Sequence, residues 1–322
     1  MNILITGASG FIGGFIVEYA LQKGFEVFVT VRKSSNRQYL TDKRINFIEI
    51  DFSDLSHLKK QLVEFKVLHG DIDYIIHNAG VTKVLIKEDY NKVNYEYTKN
   101  LVEALISTGQ NIKKFVFVSS LAASGPGIEN SDVPISLSDS PRPVTEYGRS
   151  KLKTEEYLQS LQNFPYIIMR PPAVFGPRDV DMYNVFKLIT NKLEIYIGGQ
   201  LQFLSFIYVK DLAASLIEAA ICSSKEKIYF ISDNEKYTNV IFSRRIKSLI
   251  GVKTLVINLP MGLVKIVAFI SETVGKVTKN PSALNIDKIN ELKCSNWLCD
   301  ASDFYKDTNY RVQYSLDQGI EE

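Results

Sequence analysis

Several scarcities limit what this 322-residue chain can be. It has only three cysteines, Cys222, Cys294 and Cys299, without CxxC spacing, and only three histidines, His57, His69 and His77. Neither a disulfide framework nor a zinc site can be read from that set, so no metal is expected and the thiols are read as small buried apolar groups. The formal net charge is only +2, with lysine and arginine spread along the chain. Such a balance provides no field to gather nucleic acid or an anionic membrane, and nucleic acid is not an expected partner. No basic leader or cleavage site precedes the first apolar run, Asn2-Ile-Leu-Ile-Thr6, so a cytoplasmic protein is expected. The most apolar later run, Leu255 to Ile270, is broken by Asn258, Pro260, Gly262 and Lys265 and falls short of the ~20 residues of a spanning helix. No membrane span is expected, although the amphipathic Met261–Val274 segment is a candidate for surface association.

What is present is a globular composition, 45% hydrophobic and 23% charged, in a chain long enough to bury a large core. Short β-branched runs alternate with helical patterns. They predict strands at Ile3–Thr6, Glu26–Val31, Phe47–Ile50, Tyr74–His77, Phe115–Ser119 and Tyr166–Met169, with helices near 11–23, 54–67, 88–108 and 144–162. Near-continuous apolar strands of this length suit burial on both faces, so the expected fold class is α/β, a doubly wound parallel sheet of the Rossmann type. From about Gly176 the alternation weakens, with short strands expected near Glu194–Ile197 and Lys227–Ile231. The expected division is a dinucleotide-binding unit over 1–175 and a smaller, interleaved, mainly substrate-binding lobe over 176–322, from which a segment at about 205–232 returns to the core. Ser124–Pro143, punctuated by glycine and proline, reads as a long loop of the kind that is often functional.

Thr6-Gly7-Ala8-Ser9-Gly10-Phe11-Ile12-Gly13 follows the first strand and opens a helix, the place where a dinucleotide pyrophosphate binds. Gly7 permits the tight turn, Gly10 lets the backbone approach the phosphates, and Gly13 allows helix to pack on strand. The spacing is a GxxGxxG variant of the usual fingerprint, and its placement matters more than the pattern. At the end of the second strand, where a carboxylate would bind a ribose 2′-hydroxyl, stands Arg32, followed by Lys33, Ser34, Ser35 and Arg37. That favours NADP over NAD as cofactor. Asp51 and Phe52 after the third strand are placed near the adenine, and Asn78, Ala79 and Gly80 after the fourth near the cofactor ribose.

Tyr147-Gly-Arg-Ser-Lys151 can put a phenol and an ammonium on one helical face. An ammonium about 4 Å from a phenol favours the phenolate by roughly 4 kcal/mol at an effective dielectric of 20, enough to make Tyr147 a usable acid/base. Spacing alone does not select it, because Tyr19/Lys23, Tyr39/Lys43, Tyr95/Lys99 and Tyr183/Lys187 repeat it. Strand order does: the fifth strand ends on Ser119 and Ser120, and the next helix carries Tyr147 and Lys151, so a hydroxyl, a phenol and an ammonium meet where an open α/β sheet places its ligands.

With Thr6–Gly13, His77–Gly80, Val93-Asn94, Val118–Ser120, Tyr147–Lys151, Arg170–Pro177 and Phe206–Asp211 in place, the chain resembles an extended short-chain dehydrogenase/reductase, the superfamily that includes the NAD-dependent epimerase/dehydratases. The resemblance implies Ser120 as the oxygen-polarising hydroxyl, with Ser119 as its rival, and Tyr147 as the acid/base. It implies that Lys151 lowers the tyrosine pKa and holds the nicotinamide ribose, that Asn94 supports a proton relay, and that Pro171–Val174, including Pro171 and Val174 themselves, border the nicotinamide. Ser120 is preferred because it lies five residues before Gly125, the family's spacing. A homodimer through helices near 95–108 and 147–162 is also implied.

The family's sugar-nucleotide enzymes usually carry an asparagine where this chain has Ala173 and an arginine where it has Leu204. Alanine and leucine can grip neither sugar nor diphosphate, although Arg178 and Lys210 stand near enough in sequence to compensate. The pattern is closer to the 3β-hydroxysteroid dehydrogenase and dihydroflavonol reductase branch. The expected activity is hydride transfer between a nicotinamide and a small-molecule secondary alcohol or ketone, in the reducing direction. The alternatives are a nucleotide-sugar epimerase or dehydratase, and a non-catalytic NAD(P) sensor.

Overall fold

A computed structural model describes residues 1–282 and 284–322. Seven strands form one parallel sheet: β1 (Asn2–Thr6), β2 (Glu26–Thr30), β3 (Ile45–Ile48), β4 (Tyr74–His77), β5 (Lys114–Val118), β6 (Tyr166–Arg170) and Lys227–Phe230. Their order across the sheet is Lys227–Phe230, β6, β5, β4, β1, β2, β3, with the chain reversing direction of travel between β1 and β4. That reversal opens a crevice beyond the carboxyl ends of β1 and β4, the position where such sheets take ligands.

Burial on both faces follows from the alternation of side chains along each strand. In β5, Phe115 and Phe117 join Leu58, Leu62, Leu101 and Leu105 on one side, while Val116 and Val118 join Phe15, Ile16, Leu212 and Leu216 on the other. The helices Leu55–His69 and Tyr97–Ser107 thus cover one face, and Phe11–Gln22 and Val209–Ile221 the other.

Boundaries differ from the sequence expectation in instructive ways. β3 pairs over Ile45–Ile48 rather than Phe47–Ile50, because Ile50 is buried by packing after the ladder has ended. The helix expected near 88–108 contains a π-helical stretch, Asn91–Glu96, that carries Asn94 into the interior. π-Bulges of this kind mark positions where one side chain is re-aimed, frequently at functional sites. The helix expected at 144–162 spans Glu146–Ser160 and is capped by Thr145, whose Oγ1 accepts the Gly148 N–H at 3.0 Å.

After residue 170 the chain builds small sheets: Ala173–Phe175 pairs with Phe206–Tyr208, Phe203–Leu204 with Tyr237–Thr238 and Asn296–Trp297, and Leu193–Ile197 with Leu255–Leu259. The Ser124–Pro143 loop is pinned by Asn296, whose Nδ2 donates to the Val133 carbonyl at 2.8 Å, and by a single bridge between Ile135 and Cys299. No helix among the described residues is long and apolar enough to cross a membrane.

Candidate active site

The glycine turn after β1 has the shape of a phosphate cradle. Gly7 sits at φ +68°, and a Cβ there would lie 2.8 Å from the Asn78 carbonyl and the Ala79 amide, so the β1 and β4 turns touch through backbone alone. A Cβ on Gly13 would lie 2.1 Å from the Gly7 oxygen. The helix Phe11–Gln22 begins at Gly10 with no side chain capping it, which leaves its first amides free for an anion. Ser9, Phe11 and Ile12 line the accessible side of this turn. These features fit a dinucleotide.

Arg32 is exposed at the end of β2, its amide held by the Ser35 hydroxyl at 2.9 Å. Asp51 is exposed and accepts from the Ser53 amide and hydroxyl, which hold its carboxyl below the usual range. Phe52 packs edge-on to His77, and its carbonyl accepts from Asn100 at 2.9 Å. Asn78 donates to the Gly7 carbonyl at 3.4 Å.

The two serines after β5 are in extended backbone and turn to opposite sides. Ser119 is buried and donates to Glu155, which itself pairs with Arg170, and Arg170 Nη1 donates to Ser124 at 2.9 Å. Ser119 is therefore occupied in the scaffold. Ser120 accepts from the Ala122 amide at 3.1 Å and faces the Tyr147 phenol. What brings them together is Gly148: a Cβ there would fall 2.3 Å from the Ala122 carbonyl, so only glycine lets the Tyr147 helix rest on the turn after Ser120.

The expected lowering of the Tyr147 pKa by Lys151 is absent from this structure. Burial pushes the phenol up to about 12, opposed in part by the Ser120 hydroxyl. Lys151 is instead turned beneath the sheet end, donating to the Val118 carbonyl at 2.8 Å and lying 4.8 Å from the Phe117 ring centroid, and burial brings its own pKa down to about 8. Desolvation is the largest influence on both groups, and no attraction between them offsets it.

Asn94 ties these pieces to the cofactor turn. Its Oδ1 accepts the Val81 amide at 2.8 Å, and its Nδ2 donates to the Val81 carbonyl at 3.1 Å and to the Ser150 hydroxyl at 2.9 Å. A Cβ on Gly80 would meet Asn94 Oδ1 at 2.9 Å and Lys151 Nζ at 3.3 Å, so Gly80, Asn94 and Lys151 converge.

Sequence reasoning missed the support beneath them. Thr98 Oγ1 donates to the Asn94 carbonyl, leaving it to accept from His77 Nε2 at 2.8 Å. His77 Nδ1 then accepts from Thr6 Oγ1 at 2.9 Å, and Thr6 Oγ1 accepts the Ala79 amide at 3.0 Å. The donors fix one tautomer, and burial pushes this imidazole down to about 3. Asp287, from the distant C-terminal lobe, accepts the Glu146 amide at the start of the Tyr147 helix. The only local signal for any of these was a histidine at a strand end.

One side of the turn after Ser120 is apolar. Leu204 packs with Leu121, Phe230 and Trp297, next to Ser120, while Ala173 is exposed on its short strand and Val174 half-buried behind Pro171, whose carbonyl accepts the Leu121 amide at 2.8 Å. Both candidate compensating cations have carboxylate partners, although the buried Nη1 of Arg178 has no hydrogen-bond partner among the described residues. Arg178 pairs with Glu18 at 2.8 Å and lies 4.2 Å from the Phe15 and Tyr39 rings, and Lys210 pairs with Glu322. Among the described residues no group of three or more His, Cys, Asp or Glu side chains could hold a metal ion.

A family profile described as the NAD dependent epimerase/dehydratase family matches residues 3–231. A ceramide reductase of Caulobacter vibrioides is 26% identical over 298 residues, covering 92% of this chain and 85% of that protein. A decarboxylating sterol-4-alpha-carboxylate 3-dehydrogenase of Dictyostelium discoideum is 26% identical over 249 residues, covering 73% and 72%. The structure of a Thermotoga maritima UDP-glucose 4-epimerase with UDP-glucose superposes with a TM-score of 0.78 at 21% identity, covering 100% of this chain and 96% of that one, a likeness of fold.

Proposed function

Because this chain belongs to the NAD dependent epimerase/dehydratase family and is therefore a nicotinamide-dependent enzyme of the extended short-chain dehydrogenase/reductase type, we propose that it is an NADP-preferring reductase of an apolar, lipid-like ketone. Residues 1–175, with the returning 205–232 segment, hold the dinucleotide, and the rest of 176–322 mainly forms the substrate lobe. The NADP preference rests on Arg32, exposed where a 2′-phosphate would lie, with Lys33 and Arg37 nearby. The assembly is a homodimer through the outer faces of the 95–108 and 147–162 helices.

The observation that carries the reading is the pairing of Ser120 with a protonated Tyr147 in an apolar surround. A phenol held near 12 is fully protonated at neutral pH and so stands ready as a general acid. The bound nicotinamide supplies or takes the hydride. Ser120 donates a hydrogen bond to the carbonyl oxygen and stabilises the negative charge that develops there, and Tyr147 delivers the proton. Lys151, released from Val118, holds the nicotinamide ribose and lowers the cost of the phenolate left behind. Asn94 fixes the turn against which that ribose lies.

Ala173 and Leu204, which offer no hydrogen bond to a sugar or diphosphate, support an uncharged substrate. So do the names of the ceramide and sterol-carboxylate relatives. Cofactor titration with NAD and NADP, followed by turnover of long-chain and cyclic ketones against UDP- and GDP-sugars, tests the proposal. Turnover of a nucleotide sugar without added cofactor would overturn it in favour of an epimerase or dehydratase.

A further inference from the structure

Outside the active site, the helix Met261–Thr278 carries a large apolar exposed surface. Its buried face is Val264, Ala268 and Gly275. Leu263, Ile266, Val267, Ile270, Val274 and Val277 point away from the lobe, with exposures from 47% for Val267 to 80% for Val277. At 3.6 residues per turn these six fall within one sector about 100° wide, the width of a core-facing stripe, yet nothing among the described residues covers it. Phe269, 63% exposed, extends the apolar sector to one side, where Lys276, Lys265 and Glu272 border it in that order around the helix. Glu272 and Lys276 line a cleft with Leu85, Lys87, Tyr90 and Asp287, and the Tyr90 ring is 6.1 Å from that of Tyr147.

The charge around the stripe is one-sided in a way the whole-chain balance conceals. Between 252 and 280 there are four lysines, Lys253, Lys265, Lys276 and Lys279, and one acid, Glu272. Glu272 pairs with Lys276. Lys253, Lys265 and Lys279 are exposed and form no ion pair among the described residues. A second copy seated on this stripe would bring those lysines against their own kind, which disfavours a symmetric interface.

We propose that this helix docks on an anionic phospholipid bilayer, with its apolar stripe among the acyl chains and the three lysines against the headgroups. The binding mode is that of an interfacial amphipathic helix, with each lysine adding roughly fivefold to the partition coefficient. The cleft lined by Tyr90, whose ring neighbours that of Tyr147, then lies within about one helix width, roughly 10 Å, of the bilayer surface, so that an apolar ketone would be delivered close to the site. The delivery role rests on the reductase reading, whereas the docking itself does not.

The full chain should co-sediment with vesicles of phosphatidylglycerol and phosphatidylcholine at least about tenfold more strongly than with phosphatidylcholine alone. Ile266→Ser/Ile270→Ser/Val274→Ser should weaken that binding by about 100-fold while sparing turnover of a water-soluble ketone. A second variant, Lys253→Gln/Lys265→Gln/Lys279→Gln, should abolish the anionic preference. Failure of the wild-type chain to bind the anionic vesicles overturns the proposal, whatever its turnover. So does a serine variant that converts a dimer to a monomer in sedimentation velocity without altering vesicle binding, since the stripe would then be a subunit interface. Because binding is read without catalysis, a wrong reductase reading and a wrong docking surface give different results.

Discussion

Both carboxylate oxygens of Asp287 accept the main-chain N–H of Glu146, at 3.1 and 3.0 Å, so a residue of the C-terminal lobe caps the helix that carries Tyr147 and Lys151. A carboxylate at a helix N-terminus also interacts favourably with the helix dipole. Asp287→Ala should cost about 1 kcal/mol of stability and lower kcat through misplacement of the phenol, with cofactor affinity retained. Asp287→Asn, which keeps an acceptor, should recover most of the turnover. Steady-state kinetics with parallel thermal unfolding distinguishes the two, and equal loss in both variants would argue that the charge, rather than the cap, matters.

Removing the phenol tests the acid. Tyr147→Phe should lower kcat by at least about a hundredfold, the low end for positioned acid–base groups, while NADP binding by calorimetry stays unchanged. Ser120→Ala should lose a comparable factor in kcat with little change in KM, because its hydrogen bond strengthens only as charge develops on the oxygen.

The proposed preference for NADP rests on Arg32. Arg32→Asp should weaken NADP binding by about 10- to 100-fold, the worth of a charge-assisted hydrogen bond, and leave NAD binding equal or tighter. Parallel titrations read the ratio. An unchanged ratio would mean that the exposed Arg32 side chain does not meet the 2′-phosphate.

The buried imidazole sets an acid limit. His77 titrates near 3 in the folded chain against an ordinary 6.5, so between those values the unfolded chain holds a proton that the folded chain does not. Stability from this group is therefore complete above 6.5 and falls as the pH drops towards 3, by about 1.4 kcal/mol per pH unit. His77→Gln should unfold more readily at pH 7 yet show a shallower decline on acidification, measured by urea midpoints from pH 7 to 4.

Glu155 and Arg170 form an ion pair in the interior, with side-chain exposures of 0% and 5%. Arg170→Met leaves a buried carboxylate without its partner and should cost about 3–5 kcal/mol, while Glu155→Met/Arg170→Met should recover much of that loss. A chemical denaturation cycle reads the coupling.

The sequence showed what is local. The turn at Gly7–Gly13 and the Tyr147–Lys151 spacing each lie within one strand–helix junction or one helical turn, strand order placed a serine hydroxyl beside them, and the family's spacing to Gly125 chose Ser120 over Ser119. The supports were not legible, because His77 reaches Thr98, Glu155 reaches Arg170, and Glu146 reaches Asp287 only through folding, with no periodicity to announce it. The electrostatics of Lys151 were misjudged for a related reason: spacing shows proximity, but desolvation depends on everything packed around the pair. Net charge is likewise a sum over the chain, and +2 does not report the four lysines and one acid between 252 and 280.

Leu204 belongs to a strand of two residues and Ala173 to one of three, in small sheets apart from the one that ends at Ser120. If Leu204 and Ala173 face the substrate as proposed, a lineage can exchange them while Ser119, Glu155 and Arg170 stay in place. An engineer testing that reading would then begin with Leu204 rather than with the loop after β5.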